Sequence, residues 1–173
     1  FSDIRDFTTL SEGMTPQQNF NFINSYLKCM EPAIKEHRGF IDKYIGDAIM
    51  ALFEKEADDA IRSALSLLHR LSIYNEGRKQ GGYQPIQIGI GINTGALMLG
   101  IVGGPDHMEG TVISDAVNLA ARIEGMTKIY GASILISEFT FLSLKRPIEY
   151  GIRMVDHVKV KGKADSVTIF EVF

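Results

Sequence analysis

Apolar residues recur at steps of three and four from Phe20 through Ile23, Leu27 and Met30 to Ile34, a spacing that predicts one face of a helix. Thr15-Pro16-Gln17-Gln18 marks its start: Thr15 can cap, Pro16 suits the first helical position, and Gln18 can close a capping box. Pro32 is expected to kink or restart this helix, and Gly39 to end it. Phe40–Ile45 and Ala48–Phe53 read as two strands joined by a tight turn at Gly46-Asp47. A long helix follows, burying Ala60, Ile61, Ala64, Leu65, Leu68 and Leu71 and fading at Gly81-Gly82. Ile86–Asn93 and Ala96–Val102 suggest a second hairpin around Asn93-Thr94-Gly95. Residues 115–127 suggest a short helix capped by Ser114. Strands near Ser133–Ile136 and Val167–Val172, with a short helix over Ser137–Leu142, complete the pattern. Helices alternating with hairpins predict an α+β sandwich: an antiparallel-rich sheet with helices on one face.

With 173 residues, 45% of them apolar, the chain is expected to fold as one domain over 1–173 with a core of its own. A net charge of −3 argues against nucleic acid as a partner, so any phosphate site must be built from local cations. The single Cys29 excludes an internal disulfide and fits a reducing, cytoplasmic setting. No apolar run approaches the roughly 20 residues of a membrane span. The chain opens within a strand-like run at Phe1, and is expected to be the catalytic core of something longer.

Chemistry concentrates at a few positions. Asp3 and Asp47 each stand at a strand end, without a His or Cys partner, which suits hard cations such as Mg²⁺. Either Asp alone is more often a turn former, so the inference rests on the pair. Asn118 and Arg122 are one helical turn apart and share a face, where a planar guanidinium suits phosphate oxygens. Ile41, Lys43 and Ile45 share a strand face by the period of two, so Lys43 is either a snorkelling surface lysine or a cation facing a pocket. Lys159, Lys161 and Lys163 alternate around Gly162, and one of them could close a phosphate site. Gly89, Gly91 and Gly95 lack the dinucleotide spacing, no P-loop motif occurs, and the four histidines have no zinc-ligand spacing. The inventory points to metal-assisted phosphoryl transfer.

Phe1–Thr8, Phe40–Asp47, Gly89–Gly95 and Asn118–Arg122, in this order and spacing, resemble the catalytic domain of class III nucleotidyl cyclases over nearly the whole chain. The wording is most similar to bacterial, cyanobacterial-type adenylyl cyclases. The resemblance implies a ferredoxin-like sandwich that converts ATP to 3′,5′-cyclic AMP and pyrophosphate. It implies two Mg²⁺ or Mn²⁺ ions per site, held by Asp3, Asp47 and the Ile4 carbonyl. Backbone amides of the Arg5–Thr8 segment, including Phe7 and Thr8, would cradle the triphosphate. Lys43 and Thr111 would read the base, Asn118 would orient the ribose, Arg122 would stabilise the transition state, and Lys161 would contact the terminal phosphates. Thr111 replaces the commoner Asp of the animal enzymes. In the family the metal ligands and the base- and ribose-reading groups come from different subunits, so a homodimer with two shared sites is implied, with regulatory domains outside this segment. A guanylyl cyclase would usually carry Glu in place of Lys43 and Cys near Thr111. A diguanylate cyclase would differ at Ile45–Ala48, and a silent dimerisation module should have lost a key residue.

Overall fold

The computed structural model describes residues 1–104, 107–159 and 166–173, with backbone alone at 101–104 and 107–113. Its centre is a seven-stranded sheet in the order β2-β3-β1-β4-β7-β9-β8. These strands are β1 (Ser2–Ile4), β2 (Gly39–Ile45), β3 (Ala48–Phe53), β4 (Ile88–Ile92), β7 (Ile134–Ser137), β8 (Ile152–Lys159) and β9 (Ser166–Val172). Every pairing is antiparallel except β4 with β7. A separate two-stranded ribbon joins β5 (Met98–Gly104) to β6 (His107–Ile113). The second hairpin expected from the sequence is therefore not formed. β4 is drawn into the middle of the sheet, between β1 and β7, and β5 pairs forward with β6. Asn93 anchors the break: its amide donates to the Ala116 carbonyl (2.9 Å) and its oxygen accepts from the Ser137 hydroxyl (2.6 Å).

Three longer helices cover the sheet: α2 (Pro16–Lys35), α3 (Ala57–Gln80) and α4 (Asp115–Tyr130). α1 (Phe7–Glu12) and α5 (Glu138–Ser143) are short. The capping box at Thr15 and Gln18 forms as expected, and α2 runs through Pro32 as one element. Its buried stripe is Phe22, Tyr26, Met30, Ala33 and Ile34, whereas Phe20 is exposed. Hydrophobicity alone ranks Phe20 as core. Packing instead selects the stripe that meets α3, where Tyr26 meets Tyr74 edge-on at 6.3 Å.

The helices occupy both faces, not one. Ile4, Ile49, Ile88, Ile90, Ile134 and Ile136 face α2 and α3 in the larger core. Leu135, Val167 and Ile169 face the other way, against Leu119 and Ile123 of α4. Two glycines make this second layer possible. A side chain at Gly91 would stand 2.2 Å from the Glu124 nitrogen and 2.5 Å from the Ala120 carbonyl oxygen; one at Gly89 would strike the Thr127 hydroxyl at 2.2 Å. Gly89 and Gly91 share a strand face by the period of two, and their missing side chains let the α4 backbone lie directly on β4.

We expect Gly91→Ala to destabilise the fold by about 3 kcal/mol, because both neighbours are backbone and cannot yield. Gly125→Ala, with open space around it on the same helix, should instead stabilise by about 0.5–1 kcal/mol. Urea denaturation of the two variants checks both signs.

Candidate active site

β1 lies between β3 and β4, so Asp3 sits inside the sheet. Its neighbour Ile4 faces the α2–α3 core, which turns Asp3 to the α4 face. Asp47 leaves the β2–β3 turn, where Gly46 holds φ 64°, a left-handed conformation natural to glycine. The Ile4 N–H donates to Asp47 Oδ2 at 3.1 Å, tying the turn to β1. Burial, followed by hydrogen bonding and repulsion from Asp3, pushes the Asp47 carboxyl up to about 7. Asp3 Oδ1 is buried and has no hydrogen-bond partner among the described residues. Two carboxylates pressed together, one with an orphaned oxygen, gain from a proton or a cation placed between them. An all-oxygen donor set fits Mg²⁺ or Mn²⁺. Ile4 is buried in the core through its side chain, so only its carbonyl could add a ligand.

The segment after Asp3 is held from below. Asp6, at φ 54°, pairs with Lys128 at 2.5 Å, and the Arg5 guanidinium donates to the Ala132 carbonyl at 2.6 Å. What reads as a turn over Arg5–Thr8 closes into α1 at Phe7. The Phe7 ring stacks on Phe22 at 6.2 Å, so the site can use its backbone amide but not its side chain. Thr8 is exposed.

Ser114 caps α4 as expected, accepting from the Ala116 N–H at 2.9 Å. Asn118 and Arg122 are both exposed. Ala120, Glu124 and Thr127 meet β4, which places Asn118 and Arg122 about half a turn away around the helix, pointing off the sheet. The structure therefore brings Asp3, Ile4 and Asp47 together and holds Asn118 and Arg122 apart from them, beyond the body of α4. Lys43 corrects the strand reading. A bulge at Asp42 pairs Ile41 with Ala51 but Lys43 with Met50. Ile41 and Lys43 thus lie on opposite faces, because the extra residue inverts the alternation. Lys43 lies on the Asp3 face with Ile45, and its Nζ is 3.6 Å from Asp42. Thr111 stands in β6 opposite Gly100. Lys161 and Lys163 lie outside the described residues.

Glu124 was not legible as a site residue in the sequence. It is half-buried beside Gly89, and burial, followed by repulsion from Asp3, pushes its carboxyl up to about 7. The available signal was the alternating Gly89 and Gly91, which strips one face of β4 and implies a close-packed neighbour. Among the described residues no three His, Cys, Asp or Glu side chains converge as a metal cage, so Glu124 stands beside the aspartate pair without completing it.

Comparison with known proteins places the fold in a family. Residues 1–171 match the adenylate and guanylate cyclase catalytic domain family, and the chain belongs to it. It is 47% identical to an adenylate cyclase of Anabaena cylindrica and 43% identical to the terminal-differentiation adenylate cyclase of Dictyostelium discoideum, each over 99% of its length. It spans 36% and 8% of those proteins, respectively. Among solved structures it matches the adenylyl cyclase CyaB of P. aeruginosa, with TM-score 0.83 and 31% identity over 99% of this chain and 90% of that one. A crystallised guanylyl cyclase matches with TM-score 0.84 and 34% identity, over 99% and 88%.

A carboxyl whose folded-state pKa is raised binds its proton more tightly in the folded chain, so the metal-free fold loses stability as pH rises from about 4 to about 7. Asp47→Asn removes this loss. In chelator, the melting temperature of the variant relative to the unmodified chain should climb between pH 4.5 and pH 8, by scanning calorimetry. A constant difference would contradict the carboxylate strain.

Proposed function

We propose that residues 1–173 are the catalytic domain of an adenylyl cyclase that converts ATP to 3′,5′-cyclic AMP and pyrophosphate. The observation that carries the proposal is the Asp3–Asp47 pair, two carboxylates crowded at one point with an orphaned buried oxygen, in a chain of the cyclase family. Asp3, Asp47 and the Ile4 carbonyl would hold two Mg²⁺ or Mn²⁺ ions. When bound, these ions acidify the ribose 3′-hydroxyl and neutralise the triphosphate.

The chain's own groups supply the rest. Backbone amides at Phe7 and Thr8 and the Lys161 side chain would bind the phosphates. Asn118 would orient the ribose so that O3′ approaches the α-phosphorus in line with the departing pyrophosphate. Arg122 would stabilise charge on the α-phosphoryl oxygens as the new bond forms and the old one breaks. No side-chain base is required, so positioning carries much of the barrier reduction. Lys43 would donate to adenine N1, with Thr111 beside it. Guanine presents an N1–H there, and a mismatched hydrogen bond costs about 1–3 kcal/mol.

The opposed placement of the aspartates and of Asn118 and Arg122 supports a two-fold homodimer, in which the metal groups of one protomer meet the helix face of its partner. Exposed apolar side chains on β2 (Phe40, Tyr44, Ile45) and at the start of the ribbon (Leu97, Met98, Leu99) suit such an interface. No helix among the described residues is long and apolar enough to cross a membrane. The free thiol of Cys29 and an ATP substrate suit a cytoplasmic catalytic unit. The greater length of the relatives supports regulatory domains elsewhere in a longer protein. The solved guanylyl cyclase at 34% identity supports a second reading, with GTP as substrate.

Substrate choice is tested by kcat/KM for ATP and GTP side by side. We expect ATP to be preferred by roughly tenfold or more; equal values, or a preference for GTP, favour the second reading. Shared sites are tested by mixing Asp47→Ala with Arg122→Ala. Each alone should be inactive, and random exchange should restore about a quarter of the unmodified activity, since half the dimers are mixed and each keeps one of two sites. Silence at every ratio, with exchange verified by sedimentation, contradicts the two-chain site.

A further inference from the structure

Glu124 is, among the described residues, a carboxylate packed near the aspartate pair to which neither the fold nor the proposed reaction assigns a task. Its placement is set by backbone geometry. Gly89 pairs across the sheet with Asp3, so the Asp3 side chain and the empty side-chain position of Gly89 lie on the same face. Glu124 Oε1 occupies that empty position, 2.5 Å from where the Gly89 Cβ would be. Cross-strand Cβ atoms stand about 4.5–5.5 Å apart, so the Glu124 carboxylate is a near neighbour of the Asp3 side chain, which repels it. The Glu124 backbone is fixed by the contact of its nitrogen with Gly91, and its carbonyl accepts from the Thr127 hydroxyl at 2.6 Å. Among the described residues its carboxylate makes no hydrogen bond or close ion pair; the Phe1 ammonium and the Arg5 guanidinium offset part of its charge, but repulsion from Asp3 outweighs either. Asp3 Oδ1 is itself buried and unpartnered.

We infer that Glu124 is a positioning residue for the divalent cation: a carboxylate that touches no ion but adds a third negative charge behind Asp3 and so raises the affinity of the Asp3–Asp47 pair. The inference rests on the metal reading of that pair. A fixed unit charge about 8 Å from a dication, screened nearly as in bulk water by solvent and by the Arg5 guanidinium nearby, acts on its affinity by about three- to tenfold. The same charge burdens the metal-free fold, where Asp3 is repelled by Asp47 and by Glu124. α4 thereby serves two sites: its outer face carries Asn118 and Arg122, and its inner face carries the charge that loads the metal pair of its own chain.

The test is thermal unfolding of the protein titrated with Mg²⁺, and separately with Mn²⁺, in the absence of nucleotide. For Glu124→Gln we expect the titration midpoint to move to about three- to tenfold higher metal, with a metal-free melting temperature equal to or above that of the unmodified protein at pH 8. Glu124→Asp, which keeps the charge, should hold the midpoint within about twofold. A purely structural role predicts the reverse pattern, a lower melting temperature with an unmoved midpoint. An unmoved midpoint in Glu124→Gln overturns the inference. Failure of the underlying reading looks different: the unmodified protein would then show no metal-dependent shift, or Asp47→Asn would shift as the unmodified protein does.

Discussion

The approach of α4 to β4 is the constraint on which the site depends. With Gly91 bare the helix backbone rests on the strand, and with Gly89 bare the strand makes room for the Glu124 carboxylate and the Thr127 hydroxyl. This contact gives the sheet its second layer and sets the rotation of α4. That rotation sends Asn118 and Arg122 outward and Glu124 inward. A helix held off by ordinary side chains would sit several ångströms farther away and be free to roll. The fixed roll lets one sixteen-residue helix carry groups of opposite charge on opposite sides.

The carboxylate pair is the second constraint, and it runs against stability. Asp3 and Asp47 come together because β1 is sandwiched between β3 and β4 and because the β2–β3 turn bends back at Gly46 to accept the Ile4 amide. Among the described residues no cationic side chain pairs with either carboxylate. The protein keeps two like charges at half-buried positions, a strain that raises the Asp47 pKa and that a metal would relieve. Strain of this kind marks functional sites more often than structural ones. The stability it costs is recovered in the large core beneath, where Ile4, Ile49, Ile88 and Ile134 pack against α2 and α3.

On the proposed reading the site is also divided. One protomer would offer the Asp3–Asp47 pair to the metal, and its partner the exposed Asn118 and Arg122 of α4. An enzyme of this plan has no complete site until two chains meet, so assembly and activity become one equilibrium. Any upstream element that tilts one chain against its partner would act on the reaction through the distance between Arg122 and the partner's metal pair.

Local patterns were enough for much of this. The capping box at Thr15, the Gly46-Asp47 turn and the Ser114 cap are written in short-range chemistry, where a residue's neighbours dictate its conformation; Asp3, expected at a strand end, is instead the middle residue of β1. The order and spacing of the motifs were sufficient to place the chain in its family. Tertiary structure decided what short-range chemistry cannot. Sheet order placed β4 beside β1 and not beside β5, because a buried Ile-Gly-Ile-Gly-Ile strand gains more from two neighbours than from a hairpin. A bulge at Asp42 turned Lys43 to the face of Asp3, since one inserted residue inverts every side chain beyond it. The placement of Glu124, invisible along the chain, arises only where a bare glycine on one element meets a carboxylate from another, because the burial and charge around it come from residues far away in sequence.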